Sequence, residues 1–217
     1  NNGGIFGGNN GGNNNNNNIN RRMSDGDADE PEKPKGVAPS SGGGLWDKYN
    51  AALEANPLIV KCLTSLVGFS LGDILAQLFV EKVEKFDFAR LARLASFGFL
   101  LHGTMGHYFY GFLDGKFPGT NAATVATKVG IDQVLFNPVF GSIFFTYMGL
   151  AAGDSLGDVK AKIQRDIKTA VVGSWTVWVP AHTINFKFIS PQQRLLYINT
   201  VQIGYNIFLS FLGNKKD

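Results

Sequence analysis

Residues Trp175 to Phe186 read WTVWVPAHTINF, an apolar, aromatic run broken by Pro180, with His182 and Asn185 just beyond the break. A proline inside a helix removes one backbone hydrogen bond, and its ring clashes with the carbonyl four residues back, here Thr176. Soluble helices rarely carry that defect in a run with two Trp. In a membrane, neighbouring helices or waters re-satisfy the freed carbonyl, so the kink is tolerated. Trp175 and Trp178, three residues apart, share one helix face and suit a belt at headgroup level. The stretch is expected to be the end of a transmembrane helix kinked at Pro180. The other apolar stretches are then its neighbours in a bundle.

Whole-chain averages hide this. With 44% hydrophobic and 17% charged residues and a mean hydropathy near zero, the 217-residue chain passes for a soluble domain. The average mixes two unlike parts. Residues Asn1 to Asn20 are almost entirely Gly and Asn, and SDGDADEPEKPKGVAPSSGGG follows. Neither has the apolar surface to offset the entropy of ordering, so residues 1–44 are expected to be a disordered low-complexity tail and linker. Residues 45–213 are expected to form an all-α polytopic membrane bundle, four spans plus a C-terminal apolar helix. The net charge of +3 is too small to argue for nucleic acid as a partner. One cysteine, Cys62, excludes an intrachain disulfide and a Cys-ligated metal site. An Asn start is compatible with a truncated, fragmentary or processed chain.

In chain order, Trp46, Tyr49 and Leu53 predict a short interfacial helix ending at Asn56-Pro57. Pro57 to Val80 exceeds the roughly 20 residues a span needs. Gly68, Gly72 and Ala76 recur every four residues and let a second helix approach closely, in another copy or in the same bundle. A charged loop, Glu81 to Arg93, precedes a second span near Leu91 to Leu113, and a third runs from about Ala126 to Ala152. Lys128 and Asp132 are spaced to pair. A polar loop, Asp154 to Lys168, is expected before the fourth span, and a last helix from Arg194 to Leu212 carries Asn199, Gln202, Asn206 and Ser210 as a polar stripe. The two loops before spans two and four are the basic ones, which places them on one membrane face and the N-terminal tail on the other.

Intramembrane polar groups are costly and mark either a solute path or interhelical ties. Asp73, Gln77, Asp132, Gln133, His182, Asn185, Asn199, Gln202 and Asn206 are the candidates, readable as pore lining or as paired groups inside the bundle. His102 and His107 fall on different helix faces, and Ser174 with His182 lacks a nucleophile elbow. No metal, cofactor or catalytic constellation is therefore expected. Membrane lipid, small solutes and a second copy of the chain are the partners the residues suit.

In order, Trp46..Tyr49...Leu53..Asn56-Pro57, Gly72-Asp73...Gln77, Gly103...His107.Phe109-Tyr110..Leu113-Asp114, Lys128...Asp132-Gln133....Pro138, Trp175..Trp178.Pro180....Asn185-Phe186, Pro191..Arg194 and Ser210 form a pattern. It resembles the Mpv-seventeen family, which includes the peroxisomal membrane protein of twenty-two kilodaltons and the yeast stress-inducible Sym protein. Departures are Gly103-Thr104 where Gly-Pro is usual, Phe109-Tyr110 where Trp-Tyr is usual, and Ala181-His182 after Pro180 where a Gln is common. The resemblance implies a small helical protein of an organelle membrane: mitochondrial inner membrane first, then peroxisome or plastid. It also implies a weakly selective channel for small solutes and metabolites, with a structural or assembly protein lacking transport as the alternative.

Overall fold

The computed structural model describes residues 43–213, with side chains as far as residue 207. The expected tail and linker therefore lie outside the described residues up to residue 42, as does the side chain of Ser210. Six helices follow one another, and no strand occurs among the described residues. They are α1 (Leu45–Ala55), α2 (Pro57–Glu81), α3 (residues 88–116), α4 (Ala122–Ala152), α5 (Leu156–Phe188) and α6 (Arg194–Gly213).

Local chemistry explains most of the boundaries. Pro57 opens α2, where its missing N–H costs nothing. Lys82 ends that helix in a left-handed conformation, φ 49°, which non-glycine residues rarely adopt. Asp87 caps α3 by accepting from the Arg90 amide at 2.8 Å, and Asn121 caps α4 by accepting from the Thr124 amide at 2.9 Å. Gly153, at φ 96°, stops α4, and a reciprocal Ser155–Asp158 capping box starts α5 two residues later. The short connections 82–87, 117–121, 153–155 and 189–193 make α2 to α6 alternate in direction.

The region from Asp154 to Lys168 corrects the expectation of a polar loop. All but its first two residues belong to α5, which continues as one helix through Pro180 to Phe188. Val159, Ile163, Ile167 and Val171 recur every four residues beneath the charges, and this stripe packs α5 on α4, with the Ile167 side chain against Gly141. The Trp175–Phe186 stretch is accordingly the second half of a longer helix.

Apolar side chains cover much of the outer surface, and polar groups are buried among the apolar core residues. Leu63, Val67, Leu71 and Leu78 on α2 are exposed, while Ser65, Gly68, Gly72, Asp73 and Gln77 on the same helix are buried. Two helices, Pro57–Glu81 and Ala122–Ala152, are long and apolar enough to cross a membrane. The long helices α3 and α5 carry charged first turns. Glycines set the close approaches around α2. A Cβ on Gly68 would stand 2.8 Å from the Asn199 Cβ, and one on Gly103 2.5 Å from the Cys62 Cα. So α6 packs on one face of α2 and α3 on another. Phe97, fully buried, meets Phe69, Phe140, Phe144 and Tyr147 edge-on or tilted.

Candidate functional site: a polar cavity between two charged clusters

Where α2 ends and α3 begins, Asp73 is buried and Arg90 Nε lies 2.7 Å from its Oδ1, an ion pair off the line of an ideal hydrogen bond. Gln77 donates to Asp73 Oδ2 at 2.8 Å and to the Asp87 carbonyl at 3.2 Å, and accepts from the Asp87 amide at 2.7 Å. The Arg90 guanidinium also grips Glu81 with two hydrogen bonds, at 2.8 and 2.9 Å. Those bonds and the neighbouring Asp73 carboxylate favour the charged guanidinium. Two sequence candidates, Asp73 and Gln77, thus meet in one closed knot.

At the opposite end, Asp114 on α3 receives two buried cations: Lys128 of α4 at 2.8 Å, and Arg194, the first residue of α6. Both cations also lie over the buried Phe186 ring, at 5.8 and 5.1 Å from its centroid. Lys128 therefore pairs across helices with Asp114 and not along its own helix with Asp132. The i, i+4 spacing is overruled because the buried ammonium reaches a carboxylate already held at the helix junction.

Between the clusters is a cavity of about 300 Å³. Its polar lining includes Asp132, Gln133, Asn137, Ser174, His182, Gln202 and Asn206, with Tyr110, Phe140 and Trp178 among the aromatic walls. His182 Nε2 is 3.3 Å from Asp132 Oδ2, to which Gln133 donates at 2.5 Å. Asn137 donates to Gln133 at 3.2 Å and to Ser174 at 3.0 Å, and Gln202 donates to Asn206 at 2.6 Å. Asp132 Oδ1 and His182 Nδ1 are buried without a hydrogen-bond partner among the described residues. An enclosed polar atom left so is costly, and a site of this size has room for hydrogen-bonding occupants.

Of the sequence candidates, Asp132, Gln133, His182, Gln202 and Asn206 line this cavity. Asn199 sits against Gly68, donating to Ser65 at 3.1 Å and to the Leu195 carbonyl at 2.8 Å. Gly72 makes room for Asn206, whose Nδ2 would be 2.5 Å from an added Cβ. Asn185 is fully buried, and neither of its side-chain polar atoms has a partner among the described residues. Trp178 lines this cavity, tilted against His182 and edge-on to Tyr205, each at 5.5 Å. Trp175 donates to the Gln133 carbonyl at 3.3 Å.

Sequence reasoning weighed His102 and Ser174 only as metal or catalytic candidates and did not select Asn137; the structure places Asn137 and Ser174 in the cavity lining and His102 Nδ1 3.0 Å from Ser65 Oγ. The available signal was a polar side chain inside an apolar run. It also gave no hint of three π-helical turns, Ala76–Glu81, Gly98–His102 and Ile131–Phe136. These wider turns carry Gln77, His102, Asp132 and Gln133, and π-turns often mark functional positions because they re-aim side chains within a helix.

A family model described as Mpv17 / PMP22 family matches residues 149–210, which hold α5 and most of α6. The chain is 35% identical over 170 residues to PXMP2/4 family protein 4 of Dictyostelium discoideum, covering 77% of this chain and 92% of that protein. It is 32% identical over 171 residues to Protein sym-1 of Neurospora crassa, covering 77% and 98%. PXMP2/4 family protein 2 of Dictyostelium discoideum is 32% identical over 181 residues, covering 80% and 93%. No solved structure matches.

Proposed function

The chain belongs to the Mpv17 / PMP22 family, and from that premise we propose that it forms a weakly selective pore for small solutes across an organelle membrane. The observation that carries this reading is the central cavity, with Asp132 Oδ1 and His182 Nδ1 unpartnered among the described residues. Polar groups left open in an apolar bundle suit a wet path. In this reading α2 to α5 span, α6 completes the wall, and the Asp132–His182 pair forms the narrow polar station. The Asp73–Arg90 knot braces one end of the bundle and stays out of the path. The organelle proposed is the mitochondrion, at its inner membrane, ahead of peroxisome and plastid, in line with what the sequence resemblance implies.

A second reading, an assembly protein without transport, is favoured by the internal pairing of Asp73 and Asp114. Conductance in a planar bilayer separates the two. The pore reading expects discrete openings from the wild-type protein and a shift of selectivity towards anions in Asp132→Asn, since a carboxylate beside the path is removed. Folded, inserted protein that stays silent across a range of voltages and solutes sinks the pore and favours assembly.

A further inference from the structure

The Asp114 cluster has an electrostatic imbalance. Lys128 and Arg194 share the one carboxylate, and a third cation, Lys61 of α2, is close enough to feel both Asp114 and Arg194. Lys61 has no carboxylate in contact among the described residues. Two buried cations against one acid leave excess positive charge at a bundle end even before Lys61 is counted, and the low-dielectric surroundings magnify it. The same residues border a second cavity of about 440 Å³, lined by Lys61, His107, Tyr108, Asp114, Gln192 and Arg194 among others. His107 Nδ1 is buried there without a hydrogen-bond partner among the described residues. Arg194 spends Nε on the Ile189 carbonyl and Nη1 on Asp114, leaving Nη2 without a protein hydrogen bond among the described residues. Gln192 and Arg194 stand at the start of α6, whose dipole adds to the positive potential.

We infer that this second cavity is a binding site for a small oxyanion, phosphate above all, held between Lys61 and Arg194. A guanidinium and an ammonium with spare donors are the pair that charge-assisted bonds to a phosphate or carboxylate need. Gly106 and Tyr110 line both cavities, so the site adjoins the central one at a shared wall. The inference rests on the pore reading for the anion's onward route, and it adds the solute class. Binding itself stands without that reading. A free anion and the phosphate of a lipid headgroup share the same chemistry, so the test has an arm for each.

The full chain in phosphatidylcholine nanodiscs is titrated calorimetrically with inorganic phosphate. Lys61→Gln is the informative variant because Lys61 holds no ion pair whose loss unfolds the bundle, and Lys162→Gln at the opposite end is the control. Phosphate binding that weakens about tenfold in Lys61→Gln and is unchanged in Lys162→Gln is the expected result, the scale of one lost charge-assisted bond. In nanodiscs carrying phosphatidylglycerol, native mass spectrometry reads retained lipid. Lipid retained by the wild type and lost in Lys61→Gln, without free-phosphate binding, supports the site and assigns the headgroup as its occupant. No difference between wild type and Lys61→Gln in either arm overturns the proposal. Phosphate bound by a protein that stays silent in the planar bilayer leaves the site standing and removes the pore. Openings with no phosphate binding in either arm do the reverse.

Discussion

The two ends of the bundle handle buried charge in opposite ways. At the α2–α3 junction, one guanidinium answers two carboxylates, Asp73 and Glu81, and Gln77 with the Asp87 backbone takes up the remaining donors and acceptors. At the far end one carboxylate, Asp114, answers two buried cations with a third close by. The first end keeps an excess of one negative charge, but most of its hydrogen-bonding groups are taken up within the cluster. The second is short of negative charge and opens on a cavity. A self-satisfied cluster holds helices together, whereas an unbalanced one has attraction left for something else.

Removing the scarcer partner at the unbalanced end breaks the comparison most severely. Asp114→Ala strands Lys128 and Arg194, only 2% and 3% exposed, as buried unpaired cations. Loss of one partner from a buried ion pair costs about 3–5 kcal/mol, so thermal unfolding in detergent is expected to shift strongly or the protein to fail to fold. An unchanged melting point means that Asp114 is not the counter-ion. At the α2–α3 end, Asp73→Asn keeps the shape and the bond from Gln77 but loses the charge facing Arg90, which is about one-third exposed and still has Glu81. A loss of about 1.5–3 kcal/mol is expected, with bilayer conductance unaltered. Altered selectivity in this variant brings Asp73 into the path.

The seam that joins the ends gives a smaller effect. Gly68→Ala pushes a methyl to within 2.8 Å of the Asn199 Cβ and is expected to cost about 1–2 kcal/mol through overpacking. Gly111→Ala has open space within 4 Å and is expected to be neutral or to gain up to about 1 kcal/mol from reduced backbone freedom. Equal melting points for the two alanine variants contradict the close α2–α6 approach. Lys61→Gln is the mildest, within about 0.5 kcal/mol in stability. Its selectivity shift is expected towards cations, opposite in sign to that of Asp132→Asn.

Much of the helical layout was legible because its signals are local. Asn56-Pro57 announced the start of α2, and the apolar runs gave the cores of α2, α3, α4 and α6. The charged stretch before Trp175 was misread because its charges were weighed above Val159, Ile163 and Ile167, whose four-residue recurrence marks a helix with one packed face. The polar candidates were legible as a set, since each interrupts an apolar run. Their sorting was not. Asp73 and Asp132 look alike in sequence. One meets a guanidinium from the next helix, and the other lies beside His182 at a cavity wall.

Sequence alone determined that this chain makes apolar helices with small and polar residues on one face, because helix periodicity and the cost of bare polar groups act within a few residues of each other. Only the tertiary structure decided which polar groups are consumed and which stay open. Asp114 is claimed by residues 14 and 80 positions away, and nothing in local spacing encodes such pairings. Direct electrostatic contact acts over a few ångströms of space, whatever the distance along the chain, so the division between a closed knot and an open pocket arises only when the helices meet.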